Sequence, residues 1–242
     1  TVIQVDSNDR MLGLVKDIGV GIHGDAAEAA EQIISRLQGP DAPKPRCFGN
    51  RDARMAELES QRKLWEDELD RLSSSDESPI SPRRALRELE KAMPENAMVA
   101  TDIGNVCSVS NSYLRFDNPG SFFAAMAFGN CGYAFPTAMG AKVARPDRPA
   151  IAYIGDGAWG MSLTEVMTAV REQIPTVAVV FNNGQWGAEK KNQIDYYADR
   201  YVGTNLDNPS FAGIAKAMGA DGITVSHADE VGDALRQAAS SS

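Results

Sequence analysis

The sequence predicts an α/β protein with a doubly wound parallel sheet. The stretches AIAYIGDG (150–157) and TVAVVFNN (176–183) are apolar up to their polar ends, which is typical of parallel strands buried on both faces. Segments with the apolar spacing of helices alternate with such stretches along much of the 242 residues. Glycines surround the acidic end of the first stretch, at the edge where open α/β sheets bind their ligands.

Residues 1–40 are predicted to be the tail of a Rossmann-like domain with the order βαβα. The strands are VIQVD (2–6) and the start of VGIHGDA (20–26), and helices are predicted over 10–18 and 26–38. Alone, such a unit leaves the edges and faces of its sheet uncovered, so we expect it to be about half of a domain. We also expect the chain to be a piece that is cut at both ends.

Residues 41–80 are predicted to be a linker that carries an amphipathic helix. A Pro-rich stretch at 39–46 and a Ser-rich stretch at 73–82 flank the helix. Its apolar residues recur at roughly heptad spacing: Met55, Leu58, Trp65, Leu69 and Leu72. This spacing is compatible with a coiled-coil partner helix, but we favour packing on the protein's own body.

Residues 81–242 are predicted to form the main α/β domain, truncated at its carboxyl end. Besides the two strands already named, strands are predicted at 97–102 and 222–225. Helices are predicted within 128–149 and over 161–173 and 208–220; the last has an Asn-Pro start and a Gly end.

Composition and charge exclude several classes of protein. Lys and Arg number 24 against 33 Asp and Glu, a net charge of −9, which argues against a nucleic-acid surface. No apolar run approaches the 18 residues of a membrane span. The three cysteines, Cys47, Cys107 and Cys131, are widely scattered and suit neither a disulfide framework nor a Cys-x-x-Cys metal site. We therefore expect a cytoplasmic protein without nucleic-acid or membrane partners.

The two polar strand ends predict a site for a divalent metal ion and a diphosphate. Asp156 and Asn183 lie 27 positions apart (183 − 156), about the length of a strand, a crossover helix and the next parallel strand. Both ends then emerge at one edge, where a carboxylate, an amide oxygen and a turn carbonyl suit Mg²⁺. Gly157 and Ala158 leave backbone N–H groups at a helix start for an anion. Taken singly, either motif is usually only a turn.

Gly-Asp-Gly followed after 27 residues by Asn-Asn resembles the cofactor motif of thiamine diphosphate enzymes. The resemblance implies that 81–242 is their diphosphate-binding domain and 1–40 the tail of their central domain. It implies Mg²⁺ bound by the side chains of Asp156 and Asn183 and by the backbone carbonyl of Gln185. The residues that it implies at the cofactor are Gly104, Asn105, Gly129, Asn130, Cys131, Gly155, Gly157 and Ala158.

Within that set the resemblance gives some residues separate roles. Gly104 and Asn105, in the stretch DIGN, match a second phosphate loop, and the Gly129 carbonyl accepts from the aminopyrimidine amine. Cys131 stands where many relatives have a larger apolar residue that supports the bent cofactor. It would act there as a packing wedge and not as a nucleophile.

Three longer stretches closely resemble the sulfoacetaldehyde acetyltransferase family: 101–116, 121–137 and above all FNNGQWGAEKKNQIDYYADRYVG (181–203). The resemblance implies an acyltransferase of sulfonate and taurine degradation that converts sulfoacetaldehyde and phosphate to acetyl phosphate and sulfite. The substrate-side positions that it implies are Ala188, Glu189 and Asn192. The basic residues nearby, any of which could contact sulfonate or phosphate, are Lys190, Lys191 and Arg200.

The resemblance also implies a homo-oligomer, either a dimer or a tetramer. In the family, the catalytic glutamate that tautomerises the aminopyrimidine lies in the amino-terminal domain of a neighbouring subunit, so this chain would hold half of an active site. Two alternatives stay open. One is an acetolactate synthase-like enzyme or another thiamine diphosphate-dependent decarboxylase or ligase, and the other is a non-catalytic fragment that binds the cofactor or Mg²⁺.

Overall fold

The computed structural model describes residues 1–42 and 50–240, and the chain divides into two compact units, Thr1–Ser60 and Gln61–Ser242. The second half of the predicted Pro-rich stretch (43–46), Cys47 and the two final serines lie outside the described residues. The predicted domain boundaries at residues 40 and 80 stay predictions.

The strands are β1 (Ile3–Asp6), β2 (Val20–His23), β3 (Met98–Thr101), β4 (Phe122–Ala124), β5 (Ala150–Gly155) and β6 (Val177–Phe181). The helices are α1 (Ala26–Gln38), α2 (Arg51–Leu72), α3 (Pro82–Ala92), α4 (Asn105–Tyr113), α5 (Ala134–Ala144), α6 (Asp156–Ser162), α7 (Glu165–Arg171), α8 (Gly187–Tyr197), α9 (Phe211–Ala217) and α10 (Val231–Ser240). Single 3₁₀ turns lie at Asp9–Met11 and Ala228–Glu230.

The first unit contains a parallel strand pair and a capped helix. β1 and β2 pair with Ile3 opposite Val20, and α1 follows after Asp25, whose side chain accepts the N–H groups of Ala27 and Glu28. Both strands and the helix over 26–38 agree with the predicted order.

The helix predicted over 10–18 was wrong, because only the 3₁₀ turn Asp9–Met11 forms there. The side chain of Gln4 donates to the carbonyl of Met11 and accepts the N–H of Gly13, each at 2.9 Å. Gly13 itself has φ +73°, which ends any helical path. The side chain of Gln4, on β1, thus bonds to backbone groups that would otherwise pair within a helix.

The second unit is a four-stranded parallel sheet in the order β4-β3-β5-β6. Successive residues of β5 face opposite layers. Ala152 and Ile154 pack with α5, α6 and α7, whereas Ile151 and Tyr153 pack with α2, α3, α4 and α10. Helices therefore cover both faces, as the doubly wound prediction requires. The chain order reverses direction between β3 and β5, and ligands of such sheets bind outside the carboxyl ends of the strands at this switch point.

Two predicted elements of this unit differ in the structure. The helix predicted over 161–173 begins earlier, at Asp156 directly after β5, and is interrupted between α6 and α7. An acidic first residue favours that start, and the following glycine, Gly157, packs closely against a neighbouring ring rather than forming a loop. The strand predicted at 222–225 was wrong, because this segment pairs with no described strand and Val225 packs against the core beside α10 instead.

The predicted helix over 208–220 is confirmed in its centre, as α9. Its N-cap is Ser210, which accepts the N–H of Gly213 at 3.1 Å, and not the Asn-Pro pair before it. The side chain of Asn208 is therefore not used for capping.

The carboxyl end of the linker helix α2 packs on the protein's own body. Leu69 is fully buried among residues of α3, α4 and β5, and its carbonyl accepts the hydroxyl of Tyr113 at 3.4 Å. Arg87 of α3 pairs with Asp70 at 2.6 Å. Trp65 and Leu58 remain about half exposed or more, so the apolar heptad is only partly used in this chain.

No helix in the ranges that the structure describes has the length and apolar character needed to cross a membrane.

Replacing Leu69 by Ala is expected to lower the free energy of unfolding by about 2–5 kcal/mol, because it leaves a cavity in a closed core. Leu58→Ala, on the same helix but with Leu58 60% exposed, is the matched control and should change little. Urea denaturation of the protein that carries this chain checks both, and equal effects would contradict the packing described for α2.

Candidate functional site

The carboxylate of Asp156 joins the ends of β5 and β6. Although it lies at the tip of β5, its side chain is only 3% exposed. Its Oδ2 accepts the backbone N–H of Gly184 at 2.7 Å and of Gln185 at 3.2 Å, and the side-chain amide of Asn208 at 2.7 Å. Among the described residues, its Oδ1 accepts only the N–H of Gly157, at 3.0 Å. The two strand ends predicted to meet are therefore in direct contact.

The loop 182–185 is held from its other side by the segment 203–206. Trp186 donates its N–H to the carbonyl of Thr204, and Leu206 donates to that of Gly184, both at 2.8 Å. Gly184 has φ +66°, a conformation that favours glycine. The loop that follows β6 is thus fixed between Asp156 and a short antiparallel bridge.

The indole of Trp186 lies directly against Gly157. A Cβ at Gly157 would sit 2.7 Å from two carbons of this ring, closer than any van der Waals contact allows. Gly160, three residues further along α6, has open space at the same position. The second glycine of the Gly-Asp-Gly motif, Gly157, is therefore needed for close packing against Trp186, which follows the loop after β6.

Three of the predicted cofactor glycines face empty space. A Cβ built on Gly104, Gly129 or Gly155 would meet no atom within 4 Å, and Gly104 (φ +125°) directly precedes α4. An open glycine before the N-terminus of a helix leaves unpaired N–H groups accessible to an anion. The N–H of Gly157, in contrast, already donates to Asp156.

A cleft of about 1720 Å³ runs past these residues. Most of the predicted site residues line it: Gly104, Asn105, Gly129, Cys131, Gly155, Asp156, Gly157, Ala158, Asn183, Gln185 and Glu189. Asn130 and Asn192 are exposed and do not line it.

Asp102 is a buried acid next to the cleft residues Ile103 and Gly104, and the sequence reasoning missed it. It ends β3 as Asp156 ends β5, is fully buried, and accepts the N–H groups of Tyr133 at 3.4 Å and Ala134 at 3.2 Å, at the start of α5. Burial raises the pKa of its carboxyl above the ordinary value. The signal was an acidic residue at the end of a second buried strand.

Cys131 lines the cleft and is influenced by two acidic groups. Burial raises the pKa of its thiol, and the charges of Asp102 and Glu189 raise it further. A raised thiol pKa keeps the sulfur protonated and weakly nucleophilic at neutral pH, which fits a packing role.

The basic residues after the loop are already engaged. Lys190 donates to the side-chain oxygens of Gln185 at 2.9 Å and Asn205 at 3.3 Å. Lys191 pairs with Asp195, and Arg200 donates to the carbonyl of Tyr197 at 3.1 Å. Among the described residues, none of these three bases lines the cleft.

The donor set fits a hard divalent cation that shares its coordination with phosphate. The described residues contain no cluster of three His, Cys, Asp or Glu side chains, so one carboxylate would be joined by amide and carbonyl oxygens. Mg²⁺ is commonly held by one or two carboxylates together with substrate phosphates and water. Oδ1 of Asp156, with a single donor, keeps a lone pair for such an ion.

Residues 102–242 match the family model described as thiamine pyrophosphate enzyme, C-terminal TPP binding domain. The chain belongs to this family. A sulfoacetaldehyde acetyltransferase from Castellaniella defragrans is 53% identical over 98% of this chain and 42% of its own length, so the chain spans about two fifths of that relative. The large subunit of an acetolactate synthase from Corynebacterium glutamicum is 28% identical over 98% of this chain and 38% of its own length.

A solved structure supports the fold. The thiamine diphosphate-dependent 4-hydroxybenzoylformate decarboxylase of Rhodococcus jostii RHA1 has a TM-score of 0.74 at 20% identity, over 98% of this chain and 41% of its own. The predicted fold class, the α/β thiamine diphosphate-binding fold with parallel strands, is confirmed. The individual roles predicted for the site residues stay predictions.

Gly157→Ala is expected to weaken thiamine diphosphate binding and to cost about 1–3 kcal/mol of stability, because the new methyl group overlaps the Trp186 ring. Gly160→Ala is the matched control, since its methyl group enters open space. Calorimetric cofactor titration and thermal unfolding measure the two effects.

The contact itself is tested by the double variant Gly157→Ala with Trp186→Ala. Removing the ring relieves the overlap, so the double variant should lose less stability than the sum of the two single variants. Strict additivity would contradict a direct steric contact.

Proposed function

We propose that the protein carrying this chain is a sulfoacetaldehyde acetyltransferase, which converts sulfoacetaldehyde and phosphate to acetyl phosphate and sulfite. The observation that carries this proposal is the 53% identity with a relative of that name across 98% of the chain, against 28% for an acetolactate synthase. The buried junction of Asp156 with the loop after β6 supports cofactor-dependent chemistry at the same site.

Mg²⁺ is proposed as the ion that joins the cofactor to the protein. The side chains of Asp156 and Asn183 and the carbonyl of Gln185 would hold it. Oδ1 of Asp156, which accepts the N–H of Gly157, and the exposed side chain of Asn183, on the joined ends of β5 and β6, support this assignment.

Thiamine diphosphate, when bound, supplies the reactive carbon for acyl transfer, and the protein binds and orients it. Gly104 and Asn105 at the start of α4, with Gly155, Gly157 and Ala158, would receive the diphosphate. Around the aminopyrimidine we propose Gly129, Asn130 and Cys131, of which the first and last line the cleft.

Glu189 and Asn192 of α8 are the proposed substrate-side residues. Glu189 lines the cleft near Cys131, and its charge contributes to the raised pKa of that thiol. Sulfoacetaldehyde and phosphate are anions, yet Lys190, Lys191 and Arg200 have protein partners. Any of these three residues that contacts the substrate would have to leave its present partner.

A homo-oligomer, either a dimer or a tetramer, is proposed as the working state. Phe128, directly before the proposed cofactor residue Gly129, is 90% exposed. Tyr196 and Val202, which follow the loop 182–185 in sequence, are also largely exposed. Exposed apolar side chains that form a contiguous patch are typical of an interface. A cytoplasmic location is proposed on the free thiols of Cys107 and Cys131.

The protein that carries this chain is expected to release sulfite from sulfoacetaldehyde only when phosphate is supplied, with one acetyl phosphate formed per sulfite, because phosphate accepts the acetyl group. A sulfite assay with and without phosphate, coupled to acetyl phosphate detection, measures this. Phosphate-independent turnover would contradict the proposal, and acetolactate formation from pyruvate instead would favour the synthase alternative.

A further inference from the structure

The sequence assigns Asn208 only to the start of a predicted helix, yet its side chain contacts the centre of the site. Its Nδ2 donates to Oδ2 of Asp156 at 2.7 Å and to Oδ1 of Asn182 at 2.9 Å. We propose that Asn208 is a positioning residue for the metal ion: it holds one carboxylate oxygen of Asp156 so that the other faces the ion. This inference rests on the proposed function, because it concerns the same ion.

The two oxygens of Asp156 are unequally occupied. In the part of the chain that the structure describes, Oδ2 accepts three donors, the N–H groups of Gly184 and Gln185 and the amide of Asn208, whereas Oδ1 accepts only the N–H of Gly157. Since a carboxylate oxygen offers about two lone-pair sites, Oδ2 is saturated. A cation can therefore approach only Oδ1, and rotation of the carboxylate would break three hydrogen bonds at once.

The orientation of the Asn208 amide follows from its partners. Both atoms that face it are acceptors: one is the carboxylate oxygen Oδ2 of Asp156, and the other is the amide oxygen Oδ1 of Asn182. A carboxylate only accepts, so the group of Asn208 nearest to it must be the NH₂. Asn208 thereby also orients Asn182, the residue next to the proposed ligand Asn183.

The contacts of the Asn208 amide with Asp156 and Asn182 are not explained by the start of α9. The N-cap of α9 is Ser210, and Pro209 between them restricts Asn208 to an extended backbone that precedes the helix. A residue needed only to begin α9 would not have to contact a carboxylate on another strand.

Loss of an outer hydrogen bond to a metal-ligating carboxylate typically weakens metal affinity 10- to 100-fold. For Asn208→Ala we expect the Mg²⁺ affinity to fall by roughly 10-fold or more. The Mg²⁺ concentration for half-maximal sulfite release should rise by a similar factor, while the rate at saturating Mg²⁺ falls much less. Asn208→Asp should also weaken binding, because it sets a second carboxylate against the saturated oxygen of Asp156.

The test is a calorimetric Mg²⁺ titration of the protein that carries this chain, with thiamine diphosphate present, together with the Mg²⁺ dependence of sulfite release. Ser210→Ala is the matched control, because it removes the N-cap of α9 without touching Asp156. Ser210→Ala should lower the melting temperature and leave the Mg²⁺ affinity unchanged. Asn208→Ala should lower the Mg²⁺ affinity and leave the melting temperature unchanged.

Wild-type Mg²⁺ affinity in Asn208→Ala would overturn the inference, as would equal losses of affinity in Asn208→Ala and Ser210→Ala. Tighter Mg²⁺ binding by Asn208→Asp would also overturn it, since residue 208 would then ligate the ion directly. If the unsubstituted protein binds no Mg²⁺, the proposed function fails as well. If the unsubstituted protein binds Mg²⁺ and Asn208→Ala binds it equally well, only the positioning role of Asn208 is refuted.

Discussion

The hydrogen bonds from the backbone of Gly184 and Gln185 to one buried oxygen of Asp156 are the interaction on which the rest of the site depends. They join the end of β5 to the loop after β6. A buried carboxylate is costly unless it is hydrogen-bonded, and these donors offset that cost while they fix the position of the loop. The second oxygen of Asp156 remains available for a ligand, so a structural bond and a binding site share one side chain.

The sheet order gives this junction its surroundings. Because β3 and β5 pair in parallel, their ends lie side by side, and each strand is followed by a buried aspartate. Asp102 binds the first residues of α5, and Asp156 binds the loop before α8. Open glycines at 104, 129 and 155 leave room between these elements. The cleft thus follows from strand order and small residues rather than from any single large side chain.

Sequence reasoning succeeded where a residue's role depends on its own strand or on regular spacing. The apolar stretches, the polar ends and the separation of 156 from 183 predicted the junction, because parallel strands meet at one edge. It failed where contacts with residues distant in sequence determine the local structure. The side chain of Gln4 bonds to the backbone within 10–18, where a helix was predicted, and 222–225 packs without a described strand partner. Asn208 was missed for the same reason, since it lies 52 residues from the carboxylate that it contacts.

The most direct test of the central claim is Mg²⁺-dependent thiamine diphosphate binding by Asp156→Ala, measured by calorimetry in the protein that carries this chain. Asp207→Ala removes the same charge from an exposed residue near the site and serves as the control. We expect Asp156→Ala to lose the Mg²⁺-dependent binding while circular dichroism shows a folded protein, and Asp207→Ala to bind normally. Binding by Asp156→Ala as tight as that of the unsubstituted protein would contradict the account.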